Sequence, residues 1–183
     1  MSVEPKPRMT VDAFLAWAED RPGRYELLDG EIFAMSPERV RHADMKFAVQ
    51  TALRTAIRRA GLNCRMVPDG VTIRVDRTTA FEPDALVYCG PRMAPDAVEI
   101  TNPVIVVEVL SPSTKGIDSG NKFTGYFSVP SVMHYLLVDP MKHRIVHHRR
   151  AADLIETRIV SEGVLRFDPP GLDVSLTEMF DDT

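Results

Sequence analysis

Between Pro103 and Leu110 the chain runs Pro103, Val104, Ile105, Val106, Val107, Glu108, Val109, Leu110, its most apolar stretch, with one carboxylate inside it. A short β-branched run without polar alternation can leave neither face in water, so it predicts a central strand covered on both sides. The fold class expected is therefore α/β, or α+β by some criteria, with a mixed central sheet flanked by helices. Glu108 is the anomaly in that strand. Burying a lone carboxylate costs several kcal/mol, so it must be protonated, paired with a cation, bound to a metal ion, or set at the strand's end facing a cleft.

At 183 residues the chain is long enough for one well-filled core and short for two. A single domain over residues 1–183 is expected, with residues 1–9 as a flexible lead-in. A composition 44% hydrophobic and 26% charged excludes disordered, collagen-like and coiled-coil readings. No apolar run approaches the ~20 residues that cross a bilayer, and the first ten residues do not read as a signal peptide. The expected location is cytoplasmic, away from membranes. A net charge of -4 argues against coating nucleic acid by charge alone and leaves open an enzyme that acts on it. Cys64 and Cys89 stand far apart without metal-ligand or C-x-x-C spacing, so both are expected to be buried free thiols.

Thr10 is placed to cap a helix with Val11, Phe14, Leu15 and Ala18 on one face. Arg24 to Leu28 and Glu31 to Met35 predict a hairpin about Asp29-Gly30. From Glu38 to Ala60 there is neither proline nor glycine, and apolar residues recur at helical spacing until Gly61 stops the helix. Its other side carries His42, Lys46, Gln50, Arg54 and Arg58 at intervals of four, a slowly drifting basic stripe. Leu62 to Val67 and Val71 to Val75 read as a strand pair around Pro68-Asp69-Gly70, with a third strand from Ala85 to Tyr88. After the central strand, hydroxyl caps at Ser113 and Thr114 introduce a helix from about Gly116 to Ser128. Strands follow at Met133 to Val138 and Arg144 to His148. Leu154 to Ser161 pairs with Val164 to Phe167 as a C-terminal hairpin, and Ser175 to Phe180 forms a last helical turn. His143, His147 and His148 alternate across their strand, which suits an exposed basic edge better than a three-histidine metal site.

Asp84 follows Pro83 at the entrance of its strand, where the fixed proline φ helps to aim the next side chain. Two carboxylates from neighbouring strands can converge on one hard divalent cation, which prefers oxygen ligands. The helix after the central strand carries Asp118, Lys122 and Tyr126 on one face, and a strand-helix-strand crossover brings that face back toward the strand ends. Gly116, Gly120 and Gly125 in so short a helix point to close packing or a ligand's approach.

The string Pro83-Asp84, then Val106 to Thr114, then Asp118, Lys122 and Tyr126, and later Leu137 to Pro140, resembles the Uma-two family of restriction-endonuclease-like proteins in the PD-(D/E)XK nuclease superfamily. Tyr25 to Glu31, Met35-Ser36-Pro37 and Arg41-His42 resemble its N-terminal signature, so the likeness spans about Tyr25 to Pro140. The resemblance implies a phosphodiesterase core in which Asp84 and Glu108 hold Mg²⁺ or Mn²⁺ and a lysine orients or polarises the attacking water. The superfamily motif places that lysine two residues after the strand acid, where this chain has Leu110, so the role falls to Lys122, with Lys115 as the weaker substitute. Glu26 would join the site from the hairpin, and His42 would border it from the long helix. Lys46, Arg54, Arg58 and Tyr126 are the candidate substrate contacts. The expected function is a Mg²⁺-dependent endonuclease acting on DNA. Because the chain is acidic, binding is expected to draw on the metal, a homodimer or a partner protein. A catalytically silent nuclease-fold binding module and a hydrolase of smaller phosphoesters are the competing readings.

Overall fold

The computed structural model describes residues 8–111 and 118–180. Strand β7 (Pro103–Val109) lies inside a six-stranded sheet that runs, edge to edge, β10 (Leu154–Val160), β9 (Arg144–Ala151), β8 (His134–Asp139), β7, β6 (Ala85–Cys89), β3 (Cys64–Pro68). Its alternate residues serve two cores. Ile105, Val107 and Val109 pack with Met45, Val49 and Leu53 of α2 (Val40–Ala60) and with Met179 of α4 (Leu176–Phe180). Val106 faces the other way, toward Tyr126 of α3 (Asp118–Ser128) and Tyr135. Two-residue periodicity puts Glu108 on that same α3 side.

β7 and β8 are parallel neighbours joined through α3, whereas the other pairs of this sheet are antiparallel, so the sheet is mixed as expected. A smaller sheet of order β2 (Glu31–Ala34), β1 (Tyr25–Leu28), β5 (Ala80–Phe81), β4 (Ile73–Arg74) forms beside it, and β11 (Val164–Phe167) pairs with β12 (Leu172–Ser175). Helix α1 (Val11–Ala18) is capped by Thr10, whose hydroxyl accepts the Ala13 N–H at 3.3 Å. Asp29 and Gly30 both have positive φ, 52° and 78°, which a two-residue turn of this hand requires. A Cβ on Gly30 would come within 2.9 Å of the Met9 nitrogen, so glycine also admits the chain's entry past the hairpin.

Four expectations are corrected. The run at 71–75 does not pair with that at 62–67: β3 joins β6, while β4 joins β5 in the smaller sheet. Met66 packs toward the α2 core and Ile73 is buried in the α3 core, so the two runs answer to different layers. The late hairpin is likewise re-partnered. β10 folds back on β9 through Ala152 and Asp153, with Ala152 at φ 52°, and β11 pairs with β12. That tight turn lacks the glycine or asparagine that marks such turns in sequence. Cys64 and Cys89 are not free thiols: they stand directly opposite in the β3–β6 ladder and form a disulfide. Sequence distance concealed a contact that strand register creates. Finally, the histidine strand is no exposed edge, because β10 covers it. No helix among the described residues is long and apolar enough to cross a membrane.

Beneath β11 and β12, His134 Nδ1 lies 2.9 Å from His147 Nε2, and His134 Nε2 lies 2.8 Å from the Pro169 carbonyl. A carbonyl only accepts, so His134 carries its proton on Nε2, and His147 donates to the free Nδ1. Both rings are buried, and burial pushes each pKa down to about 4. Their neutral forms stabilise the fold fully above the ordinary value of about 6.5, and that contribution is lost as pH falls toward about 4. In an NMR titration, the ring C–H signals of these two residues should stay at neutral positions down to about pH 5. A midpoint near 6.5 for either would contradict the buried pair.

Candidate active site

Asp84 opens β6 and is fastened to β7 at both ends of the residue. Its N–H donates to Val107 O at 3.0 Å, and its Oδ2 accepts the Val109 N–H at 2.7 Å. Gln50 of α2 donates to the Asp84 carbonyl at 2.8 Å. Glu108 projects from β7 under α3, where Lys122 Nζ reaches its Oε1 at 3.0 Å and the Tyr126 hydroxyl donates to the same oxygen at 2.6 Å. Lys122 also lies 2.9 Å from Glu26 Oε1 of β1, which in turn accepts the Glu82 N–H at 2.9 Å. Gly125 permits this closeness, since a Cβ there would come within 2.8 Å of the Phe81 ring. Of the short helix's other glycines, Gly120 has open space around it, and Gly116 lies outside the described residues.

Two acids, Glu26 and Glu108, therefore share one buried lysine, and Asp84 adds a third carboxylate charge beside Glu108. Burial raises Glu26 and Glu108 to about 7 and Asp84 to about 6. Lys122 pulls all three back down, but the Glu26 and Glu108 charges oppose each other, and Asp84 adds its own repulsion to Glu108. With all three ionised, their charge exceeds that of Lys122, and Lys46, 4.0 Å from Asp84 Oδ1, offsets only part of the difference. Oxygen donors, an excess of negative charge and an open cleft together fit a hard divalent cation.

A second group borders the first and is better balanced. Lys46 bonds to Glu38 and lies 2.7 Å from Asp69 Oδ2, while Arg24 lies 2.8 Å from both Glu38 and Asp69 and also bonds to Glu82. Burial works against charging Lys46, but its bonds to Asp69 and Glu38 hold its pKa above the ordinary value. Burial likewise opposes ionising Asp69, and Lys46 outweighs it, leaving that carboxyl below its usual range. His42 Nε2 lies 2.9 Å from Val109 O, so the proton sits there; Nδ1 is buried, 3.9 Å from Glu38 Oε1, without a hydrogen-bond partner among the described residues. Ligand atoms of Glu38, His42 and Asp84 lie within 4.8 Å of one another, a second donor set. Glu38 is already shared by two cations, Lys46 and Arg24, which compete with an ion for its oxygens.

Asp84, Glu108, Lys122, Glu26 and His42 line one cleft of about 970 Å³. Tyr126 and Lys46 stand behind its wall. Tyr126 is fully buried against Phe81 and Tyr135, its hydroxyl given to Glu108, and Lys46 is 6% exposed with its ammonium between Glu38 and Asp69. Arg54 and Arg58 lie further along α2, outside the cleft. Lys115 and the side chain of Asp118 lie outside the described residues. Arg24, Glu38, Asp69 and Glu82 had no signal in sequence. Arg24 reads as the start of a strand, Asp69 as a turn residue before Gly70, and only the fold sets them together.

The mixed sheet, its crossover helix and this cleft define the class: a restriction-endonuclease-like nuclease fold. The chain matches the Uma2 family model, described as "Putative restriction endonuclease", over residues 11–178, and it belongs to that family. Two uncharacterized Synechocystis sp. proteins are similar to it. Protein slr1290 is 33% identical over 135 residues, 73% of this chain and 70% of that protein; sll1609 is 26% identical over 147 residues, 79% and 82% of the two. The crystal structure of an Anabaena variabilis protein titled "putative nuclease belonging to DUF820" superposes with TM-score 0.72 at 16% identity, covering 94% of this chain and 98% of that one. At that identity the likeness is one of fold.

The crowded carboxylates make a stability prediction for metal-free protein. Because Glu108 is raised to about 7, its protonated form stabilises the fold fully below about 4.5, and that contribution is lost as pH rises through about 7. At pH 8, Glu108→Gln should therefore raise metal-free stability by on the order of 1–2 kcal/mol in urea unfolding. Mn²⁺ should stabilise the wild type and leave this variant unmoved. A variant that is destabilised without metal, or stabilised equally by Mn²⁺, would contradict the charge excess.

Proposed function

We propose that the chain is a Mg²⁺- or Mn²⁺-dependent endonuclease that hydrolyses phosphodiester bonds in DNA. The observation that carries this reading is the excess of buried carboxylates over cations at the floor of an open cleft, in a chain whose family and fold are those of nucleases. Asp84 and Glu108 would hold the ion, each fixed in place by a bond of its own: Asp84 by the Val109 N–H, Glu108 by the Tyr126 hydroxyl. Once bound, the ion supplies neutralisation for the phosphate and a more acidic water.

The remaining steps belong to the chain. Lys122, held between Glu26 and Glu108, offers an ammonium at the edge of the cleft that orients the incoming water and stabilises charge on the phosphate oxygens. Glu26 fixes that ammonium and, with its pKa raised to about 7 by burial, is the group that would accept the water's proton, which ends on the leaving oxygen as it becomes a hydroxyl. Tyr126 positions Glu108. The reaction consumes one water and breaks one P–O bond, leaving a phosphate monoester and a hydroxyl, and it needs no covalent enzyme intermediate.

The test compares wild type with Glu108→Ala and Lys122→Met on plasmid and single-stranded DNA, with Mg²⁺, Mn²⁺ or EDTA. Wild-type cleavage should require metal. Glu108→Ala should abolish it, and Lys122→Met should lower it by about a hundredfold or more. Cleavage that survives both chelation and Glu108→Ala would sink the proposal.

A further inference from the structure

A second concavity of about 780 Å³ lies between α2 and β3, the edge strand of the six-stranded sheet. Arg54, Arg58, Arg65 and Arg92 line it, and no carboxylate does among the described residues. By contrast, Arg24, Arg59, Arg74 and Arg166 each hold an acid at 3.1 Å or closer. None of the four in the trough has an ion pair among the described residues, and Arg65 Nε is buried without a hydrogen-bond partner. In a chain of net charge -4, this is a local positive field inside a concave surface. Phe47, 70% exposed, stands at its rim, and Ile57 and Leu62 contribute apolar floor.

The trough adjoins the cleft at two points. Gln50 lines the trough while donating to the Asp84 carbonyl, and Pro68 lines it while Asp69 faces the cleft. From Gln50 to Arg58 the helix rises about 12 Å, the length of three to four nucleotides at the duplex spacing of about 3.4 Å. Arginines without acidic competitors recognise phosphate oxygens, and an exposed aromatic ring at such a groove stacks on a base.

We propose that this arginine trough holds the sugar–phosphate backbone of a nucleic acid whose reacting phosphate occupies the cleft. The inference rests on the nuclease reading for its ligand, and it adds a holding surface separate from the catalytic groups. Arg54 and Arg58 meet phosphates, while Phe47 stacks on an unpaired base, which favours single-stranded over duplex segments.

The test measures binding of a fluorescent 30-nucleotide single strand and of its duplex to Glu108→Ala protein in EDTA, so that cleavage does not intrude. Adding Arg54→Ala and Arg58→Ala together should weaken single-strand binding tenfold or more and reduce the slope of log K against log salt by about 1.4, or 0.7 per phosphate. Arg158→Ala, on β10 at the opposite edge of the sheet, should change neither. Unchanged melting temperatures show that the variants fold. Phe47→Ala should cost the single strand more affinity than the duplex. An equal affinity and salt slope in the double variant, an equal loss in Arg158→Ala, or no binding by any form overturns the proposal. The two readings separate cleanly: trough-dependent binding by a wild type that cuts nothing supports the trough against the nuclease, and metal-dependent cutting with trough-independent binding does the reverse.

Discussion

Placing Glu108 in a strand that is otherwise closed to water is the constraint on which the candidate site depends. A carboxylate there is tolerable only with partners, and Lys122 and Tyr126 of the crossover helix supply them, while Asp84 of the adjoining strand and Glu26 of the smaller sheet crowd it with further negative charge. The parallel β7–α3–β8 unit makes this possible. It forces α3 to recross the sheet, and the missing side chain at Gly125 lets the helix settle onto Phe81, close enough for Lys122 to bridge two acids. Removing that approach would leave the ammonium and the carboxylates buried apart, each at high cost.

Around this core the electrostatics divide in two. The group made by Arg24, Lys46, Glu38, Asp69 and Glu82 has cations shared among its acids and serves as a rigid wall. The group made by Glu26, Asp84, Glu108 and Lys122 is short of positive charge, and its acids are raised accordingly. A structural ion-pair network tends toward balance, and the departure from it sets this second group apart as the candidate site. His42 stands between the two, giving one ring nitrogen to the Val109 carbonyl and turning the other toward Glu38.

The long helix serves both the core and the surface. Its apolar side closes one core layer through Met45, Val49 and Leu53, and its polar stripe changes character along its length. His42 lines the cleft, Lys46 is buried in its wall, Gln50 holds the Asp84 backbone, and Arg54 and Arg58 face the neighbouring trough. A stripe that reads as uniformly basic in sequence thus resolves into four different environments.

Periodicity and turn chemistry alone determined the central strand, the long helix with its Gly61 stop, the Asp29-Gly30 hairpin and the crossover, because each depends on contacts among near neighbours. Pro83-Asp84, Glu108 and Lys122 were legible for the same reason: a charge in an apolar strand, a proline-aimed acid and a helix face are local patterns. Beyond that hairpin, several strand pairings were not legible. β3 and β4 part into different sheets, β10 turns back on β9, and Cys64 meets Cys89, since hydrogen-bonded ladders are chosen by the burial of both faces at once. The same holds for Arg24, Glu38 and Asp69, whose roles arise from distances between segments remote in the chain. Sequence names the groups that cannot stand alone; tertiary structure decides which partners reach them, because Coulomb and hydrogen-bond energies depend on separation in space and burial, not on order along the backbone.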